Sequence, residues 1–422
     1  MFVPLKKWIG NICLILTTTS IQAEPLTRYE AIQLALQNNL EITAAHAAWK
    51  AERARTLQAW ALPAPELQLE YEGLSGAFNL GQYEQRDLGI TQRMVFPLKW
   101  WQKNRAATHH AQATRLSIYE TTRRNITRDV QITYDRTLKE IMILAFSHNH
   151  VQLAQTFLQR AQKRFALGDV PKLDVMRAEV ALMRLENHRT QAQHAVYLAQ
   201  SALNILLNQK ADTPIVLSDS LNTEILPPNS QTSYFQRSDL QGAEKNLASL
   251  KAAQAASVAA LVPDISISLS RQTVNSPAGQ QKFWRTGFAL ELPVWALFQQ
   301  KTDIAEAQAR LHQALAERDH LKQRIEQETT AASLTLQGAT ERMTWMKNHI
   351  LPTAEAAYHM ARRSYEEGKA TYLDLLEAQK ELVEIQTEYV ETLFEYRSAQ
   401  IQWMHATGQN HIPVETNYGD QP

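Results

Sequence analysis

The apolar positions along this chain switch between two periods. Over residues 26–62 they recur at helical spacing through Ile32, Ala35, Leu36 and Ile42, and Thr27 with Glu30 three residues later forms a capping-box signature at the start. Pro63 and Pro65 end that predicted helix. From Glu66 the period drops to two, with Leu67, Leu69 and Tyr71 on one face and Glu66, Gln68, Glu70 and Glu72 on the other. After a turn-rich stretch, Leu88, Ile90, Met94 and Phe96 oppose Asp87, Thr91 and Arg93 until Pro97. A second pair obeys the same grammar. Ile265, Ile267 and Leu269 alternate with Ser266, Ser268 and Ser270; the run Asn275-Ser276-Pro277-Ala278-Gly279 turns the chain, and Trp284, Phe288, Leu290 and Leu292 line the return before Pro293.

Between the strand pairs the pattern is helical. Residues 101–167 contain neither proline nor glycine, which allows a helix of about 100 Å at 1.5 Å per residue. Residues 301–367 match that length, interrupted only by Gly338 and Pro352. The last helix carries a heptad: Leu375, Leu382, Tyr389, Tyr396 and Trp403 at one position, with Ala378, Ile385, Ala399 and Ala406 three residues on. An earlier helix repeats it through Val175, Leu182, Val196 and Leu203 with Ala178, Leu185, Ala192 and Ala199. Met176 and Met183, seven apart, fit core spacing and are read as packing.

These two helices share a register because the chain is duplicated. An offset of 200 carries Pro63 to Pro263, Leu69 to Leu269, Gly168 to Gly368, Leu173-Asp174 to Leu373-Asp374 and Ala199-Gln200 to Ala399-Gln400. Each copy runs helix, strand pair, very long helix, tight turn, long helix. The organisation expected is a leader at 1–23, a first repeat at 24–212, a proline-bearing linker or equatorial segment at 213–233, a second repeat at 234–409 and a tail at 410–422. The fold class is mainly α, a long coiled-coil barrel with four strands. Each strand has about the ten residues that a tilted transmembrane strand needs, its polar face free to line water. Four strands cannot close a barrel, since small ones need about eight, so the chain must oligomerise.

Address and composition narrow the setting. Lys6-Lys7, an apolar stretch from Trp8 to Leu16 and Ile21-Gln22-Ala23 before Glu24 follow signal-peptide grammar. The only cysteine, Cys13, lies in that apolar stretch without a lipobox, so the exported chain would carry no disulfide. No later segment has the apolar length of a membrane helix, so a membrane crossing would require a closed barrel. With 43 basic and 43 acidic residues, no charge imbalance points to nucleic acid.

Chemistry-bearing motifs are missing. His109-His110 and His148-Asn149-His150 do not place two imidazoles four apart on one helix face, so no metal site is expected. No phosphate loop, nucleophile elbow or cysteine cluster appears, so neither an enzyme nor a cofactor is expected.

The hairpin tips, Arg164-Phe165-Ala166-Leu167-Gly168 leading to Leu173-Asp174-Val175 and Ser364-Tyr365-Glu366-Glu367-Gly368 leading to Leu373-Asp374-Leu375, resemble those of TolC-type outer-membrane efflux proteins. So do the strand exits Phe96-Pro97-Leu98-Lys99 and Leu290-Glu291-Leu292-Pro293-Val294. The resemblance covers 26–408. It implies a homotrimer whose three protomers share one twelve-stranded barrel in outer-membrane lipid above a periplasmic helical tunnel. It also implies an exit duct that conducts passively, served by a periplasmic adaptor (membrane fusion protein) and an inner-membrane pump of the resistance-nodulation-division type. The Phe-Pro-Leu-Lys corner with Lys103, Arg105 and Ala106 is similar to the heavy-metal cation branch, although Leu98 replaces the glycine favoured there.

Position by position, the family's narrow periplasmic mouth falls on Asp374 and Glu377, which threefold symmetry would turn into carboxylate rings attractive to cations. Tyr365 and Asp174 occupy two positions that link inner and outer hairpins in the family, and Ala370 stands where some relatives have an arginine, so that salt link is either absent or supplied by Lys369. Gly168, Leu173, Gly368 and Leu373 mark the tips that would meet the adaptor. Without symmetry, Asp374 reads as a helix-start residue and Tyr365 as packing. The competing functions are a periplasmic coiled-coil adaptor and a TolC-like duct for drugs or type I protein secretion.

Overall fold

The computed structural model describes residues 25–76, 80–221, 234–277, 279–291 and 296–409. The expected leader with Cys13, part of the linker (222–233), the corner at Leu292-Pro293-Val294 and the tail from 410 lie outside the described residues.

Thr27 opens α1 (Arg28–Asn38) with the expected capping box: its N–H donates to the Glu30 carboxylate at 2.8 Å while the Glu30 N–H donates to its hydroxyl at 3.2 Å. The single helix expected over 26–62 is corrected to two, because the chain extends at Asn39 before α2 (Leu40–Trp60). The Asn39 side chain accepts from the Glu41 N–H at 2.9 Å and donates to the Leu206 carbonyl at 3.0 Å. It starts a new helix and pins the break to the other end of the first copy.

Strands β1 (Glu66–Glu72), β2 (Gln85–Met94), β3 (Asp264–Ser276) and β4 (Gly279–Glu291) form one antiparallel sheet in chain order. Register sets Leu69 opposite Leu88, Ile90 opposite Leu269 and Ile267 opposite Phe288, so the alternating apolar positions share one face. That face is open: Leu67 is 75 % and Phe288 76 % exposed. The polar face is crowded. A Cβ on Gly89 would lie 2.9 Å from Ser270 Cβ, and one on Gly287 2.6 Å from Ser268 Oγ, so a larger residue at either position would have to displace a serine of the facing strand. The sheet therefore presents its apolar side outward.

The corner below the sheet is tied by Asp264, which accepts from the Phe96 N–H at 3.1 Å, Lys99 Nζ at 2.9 Å and Arg93 at 3.1 Å. Here α3 (Pro97–Thr114) starts. It packs between α2 and α6 (Ser238–Ala259), which in turn meets α7 (Ala296–Trp345), so the helix order repeats the strand order. Below this layer, α4 (Thr121–Ala166) and α5 (Lys172–Leu206) form one hairpin, and α8 (Leu351–Glu366) and α9 (Tyr372–Thr407) the other.

Both long helices run through, each with one wide turn. The π turn Arg115–Glu120 joins α3 to α4, and the Ser117 and Thr121 hydroxyls donate to the Ala113 and Leu116 carbonyls there. Gly242 of α6 rests on it, and a Cβ at that glycine would sit 2.8 Å from the Ser117 backbone nitrogen. The π turn Met346–Ile350 precedes Pro352, whose ring collides with the preceding helical turn and which has no N–H to donate. Gly338 causes no break.

Two buried clusters hold the chain. One gathers Ile32, Val130, Tyr134, Leu203, Leu336 and Tyr396 at mid-height, where Asp135, fully buried, pairs with Arg28 and with Arg397 at 3.6 Å. The described end of the linker joins it through buried Ile215 and Leu221 and a Leu26–Leu217 bridge. The other cluster, near the tips, gathers Phe157, Val175, Tyr358, Tyr365, Tyr372 and Leu375. The heptad positions Leu382, Tyr396 and Trp403 are buried as expected. Met176 and Met183 are not: at 52 % and 59 % exposed they lie beside the Val175 seam on the side of α5 turned away from α4, its packing partner.

Leu269→Arg on the outward face is expected to cost on the order of 2–4 kcal/mol at mid-bilayer, and Ser268→Arg much less. Heat-modifiable mobility of the assembled protein on gels measures this, and equal assembly defects would refute the facing. Gly242→Val should lower the thermal unfolding midpoint through an overpacking cost of about 1–3 kcal/mol, as followed by circular dichroism.

Candidate functional site

At both hairpin tips a glycine ends the descending helix. Gly168 (φ 82°) and Gly368 (φ 75°) adopt left-handed backbone that other residues resist. In each, two bonds close the helix: Asp169 N–H to the Arg164 carbonyl at 2.9 Å with Gly168 N–H to Phe165 at 3.0 Å, and Lys369 N–H to Ser364 at 2.8 Å with Gly368 N–H to Tyr365 at 3.1 Å. Leu173 and Leu373, next along, are exposed. The tips share this backbone but not their surface: Phe165, Leu167 and Leu173 are exposed at the first, and Glu366, Glu367 and Lys369 beside Leu373 at the second.

The ascending helices start differently. Pro171 caps α5 without a side-chain bond, and Asp174 pairs with Arg177 at 3.5 Å. Thr371 and Asp374 make a full capping box at α9: the Asp374 carboxylate accepts from the Thr371 N–H at 2.8 Å and its hydroxyl at 2.7 Å. Bonds from the Thr371 hydroxyl and backbone hold the Asp374 carboxyl below the usual aspartate range. Glu377 is exposed and has no cationic partner among the described residues.

Tyr365 and Asp174 converge on one neighbour rather than bonding to each other. Tyr365 is buried, with Arg164 5.3 Å above its ring and the Tyr372 ring 5.8 Å away, inclined at 61°. Burial, then the Tyr365 hydroxyl and the Asp174 charge, push the Tyr372 hydroxyl up to about 12. Tyr372 stands where the first copy has Lys172, and no spacing rule marked it. Arg160 to Glu366 at 2.9 Å adds an ion pair between the hairpins, while Lys369 is taken locally by Glu367 at 2.7 Å.

Above Glu377 the carboxylates continue in a pattern outside the motifs singled out from the sequence. Glu377, Glu381, Glu384, Glu388, Glu391 and Glu395 alternate spacings of four and three, and all are exposed. Such a stripe drifts by only about 20° per heptad, so the six remain on one face of α9, opposite its buried seam. Glu384 has Lys380 at 3.7 Å and Glu395 has Arg342 at 3.1 Å; the other four have no cationic partner among the described residues. At the equivalent positions α5 carries Arg177, Arg184 and His188 in place of Glu377, Glu384 and Glu388. A groove of about 460 Å³ separates the two helices, with Arg184 and His188 on one wall and Glu384, Glu388 and Glu391 on the other. The signal was legible as heptad-spaced carboxylates.

This is a field rather than a coordination site: no three His, Cys, Asp or Glu among the described residues are grouped to hold an ion. His110 lies 3.7 Å from Glu52, the His148 ring meets the Leu144 carbonyl, and burial pulls the basicity of His150 down.

An outward apolar sheet with a stack of long helices beneath it is the architecture of a membrane channel with a helical tunnel. The profile of the Outer membrane efflux protein family matches residues 31–209 and again 230–409, and the chain belongs to that family, one of transport ducts. It is an outer-membrane efflux channel, and its helices form a periplasmic tunnel. It is similar to the cobalt-zinc-cadmium resistance protein CzcC of Cupriavidus metallidurans, 23 % identical over 380 residues that cover 85 % of this chain and 84 % of that one. The cation efflux system protein CusC of Escherichia coli K12 is 24 % identical over 250 residues, 56 % of this chain and 54 % of that one. A crystal structure of CusC superposes with a TM-score of 0.77 at 18 % identity, covering 91 % of this chain and 92 % of that one.

The cap sets a pH dependence. Because the folded Asp374 carboxyl sits below the ~3.9 of a free aspartate, its charge and its capping are complete above that value and are lost as pH falls through the lowered folded one. Thr371→Ala removes the hydroxyl donor, so the midpoint for losing cation selectivity in single-channel recordings should move up in pH. An unchanged midpoint would mean that Asp374 does not govern entry.

Proposed function

We propose that this chain works as a homotrimer, the outer-membrane exit duct of a metal-cation efflux system, receiving ions from an inner-membrane pump of the resistance-nodulation-division type through a periplasmic adaptor. The carboxylate stripe of α9, opening at Asp374 and Glu377, carries the reading. Threefold repetition turns two carboxylates per chain into rings, and fixed rings of one sign favour counter-ions in a narrow opening. The names of CzcC and CusC, metal resistance and cation efflux, agree with that chemistry.

The open edges support assembly with further copies into a trimer. β1 and β4 end the sheet, α2 and α7 end the helix layer, and α5 ends the lower layer with Met176, Val180 and Met183 exposed. A rotated copy supplies the missing neighbour at every level. The duplicated unit, 24–212 and 234–409 joined through 213–233, gives each protomer two strand pairs and two hairpins. The tips at Gly168–Leu173 and Gly368–Leu373 meet the adaptor, and the Tyr365–Tyr372–Asp174 contact holds the hairpins together at the mouth.

In planar bilayers the double variant Asp374→Asn, Glu377→Gln is expected to lose cation selectivity and divalent block while remaining a trimer by mass measurement. Selectivity equal to that of the parent would remove these residues from the ion path, and a conducting monomer would refute the assembly. A deletion strain should become sensitive to zinc, cobalt or cadmium salts; sensitivity confined to organic drugs would favour the drug-duct reading.

A further inference from the structure

The apolar outer surface does not stop where the strands end. Leu98 and Trp101 of α3 are 48 % and 49 % exposed, and Arg105, four residues after Trp101, is exposed with its guanidinium 5.5 Å from the Trp101 ring. Spacings of three and four put the three side chains on one helix face. Lys99 marks the opposite side, since it reaches Asp264, which belongs to the polar face of β3 by strand alternation. Lys103, a turn after Lys99, shares that inner side. Because α2 and α6 flank α3, its two free faces look to the tunnel and to the outside, and neither is available to a neighbouring protomer. Leu98, Trp101 and Arg105 are therefore outside, in line with the apolar face of the sheet.

We propose that this outer edge of α3 is an interfacial anchor that binds the phosphate of a phospholipid in the periplasmic leaflet, with Trp101 at headgroup depth and Arg105 as the phosphate ligand. The proposal rests on the apolar side of the sheet facing lipid. Its first support is depth: at 1.5 Å per residue Trp101 lies about 6 Å past Pro97, inside a headgroup zone about 5–8 Å thick, and Arg105, whose backbone is about 12 Å past it, tilts its side chain back toward the helix start so that the guanidinium lies over the Trp101 ring at the edge of that zone. An indole belongs at the boundary and a guanidinium just beyond it. Its second support is charge. Residues 97–112 hold Lys99, Lys103 and Arg105 and no acid, and Arg105 has no carboxylate partner among the described residues. Its third is continuity, since Leu57, Trp60 and Leu62 at the end of α2 and Leu261 after α6 are exposed at the same level. The edge-on contact of Trp60 with Trp100, centroids 4.8 Å apart, braces α2 against α3 there.

The test uses the full-length protein in its assembled form. In a Cys13→Ser background, spin labels at Leu98→Cys and Trp101→Cys should be relaxed by lipid-soluble oxygen and a label at Thr108→Cys by a water-soluble nickel chelate. Native mass spectrometry, after exchange into equal amounts of phosphatidylglycerol and a phosphate-free galactolipid, should show phospholipid retained in about fivefold preference. Arg105→Gln should erase that preference with conductance intact. A label at position 101 that answers nickel as strongly as one at 108, or a preference that survives Arg105→Gln, would overturn the anchor. Conductance recorded on the same samples keeps such a failure separate from a failure of the channel assignment.

Discussion

Strands β1 and β4 each leave a row of N–H and C=O groups without a partner in the chain, and in hydrocarbon every such group costs several kcal/mol. Every other level of the structure inherits that constraint. Helix order copies strand order because each strand pair feeds directly into the helices beneath it, so an open sheet edge continues as an open helix edge in α2 and α7. The exposed methionines of α5 carry the same incompleteness down to the tips. A solitary chain would expose its apolar sheet face and its open backbone at once, and a barrel shared among copies removes both.

Duplication supplied this architecture twice and then diverged in charge and capping. The tip glycines and their closing bonds are the same in both copies, because a left-handed turn between long antiparallel helices leaves little freedom in backbone or residue type. The starts of the ascending helices carry no such restriction. One became a proline with Asp174 turned to Arg177, the other a capping box that keeps Asp374 ionised, and the stripes above them acquired opposite charge. The acidic stripe suits a path for cations, while the basic one faces it across a groove inside the same protomer.

The seams of the molecule are fastened by buried or half-buried charge at the places where distant segments meet. Asp135 joins α1, α4 and α9 through two arginines, and Asp264 joins the corner after β2 to the start of β3. Each carboxylate is removed from water, which is costly unless its partners are supplied by the correct tertiary arrangement. Such pairs select one packing of helices whose small, repetitive seams would otherwise tolerate sliding.

Much of this was legible in the chain. Period-two runs bounded by prolines gave the strands, the proline- and glycine-free stretches gave the long helices, and Thr27 with Glu30 gave the first cap, because these are local properties of side-chain spacing and backbone chemistry. The offset of 200 between Gly168 and Gly368 gave the two hairpins for the same reason. The break at Asn39 depended on the Leu206 carbonyl, far away in sequence. The exposure of Met176 and Met183 depended on α5 having no neighbour on that side, which a heptad count cannot reveal. Tyr372 gained its place only when Tyr365 and Asp174 were brought to it from two hairpins. The sequence by itself determined elements, periods and the insufficiency of four strands, while tertiary structure alone decided which faces meet, since contact between distant segments is fixed by packing and not by spacing.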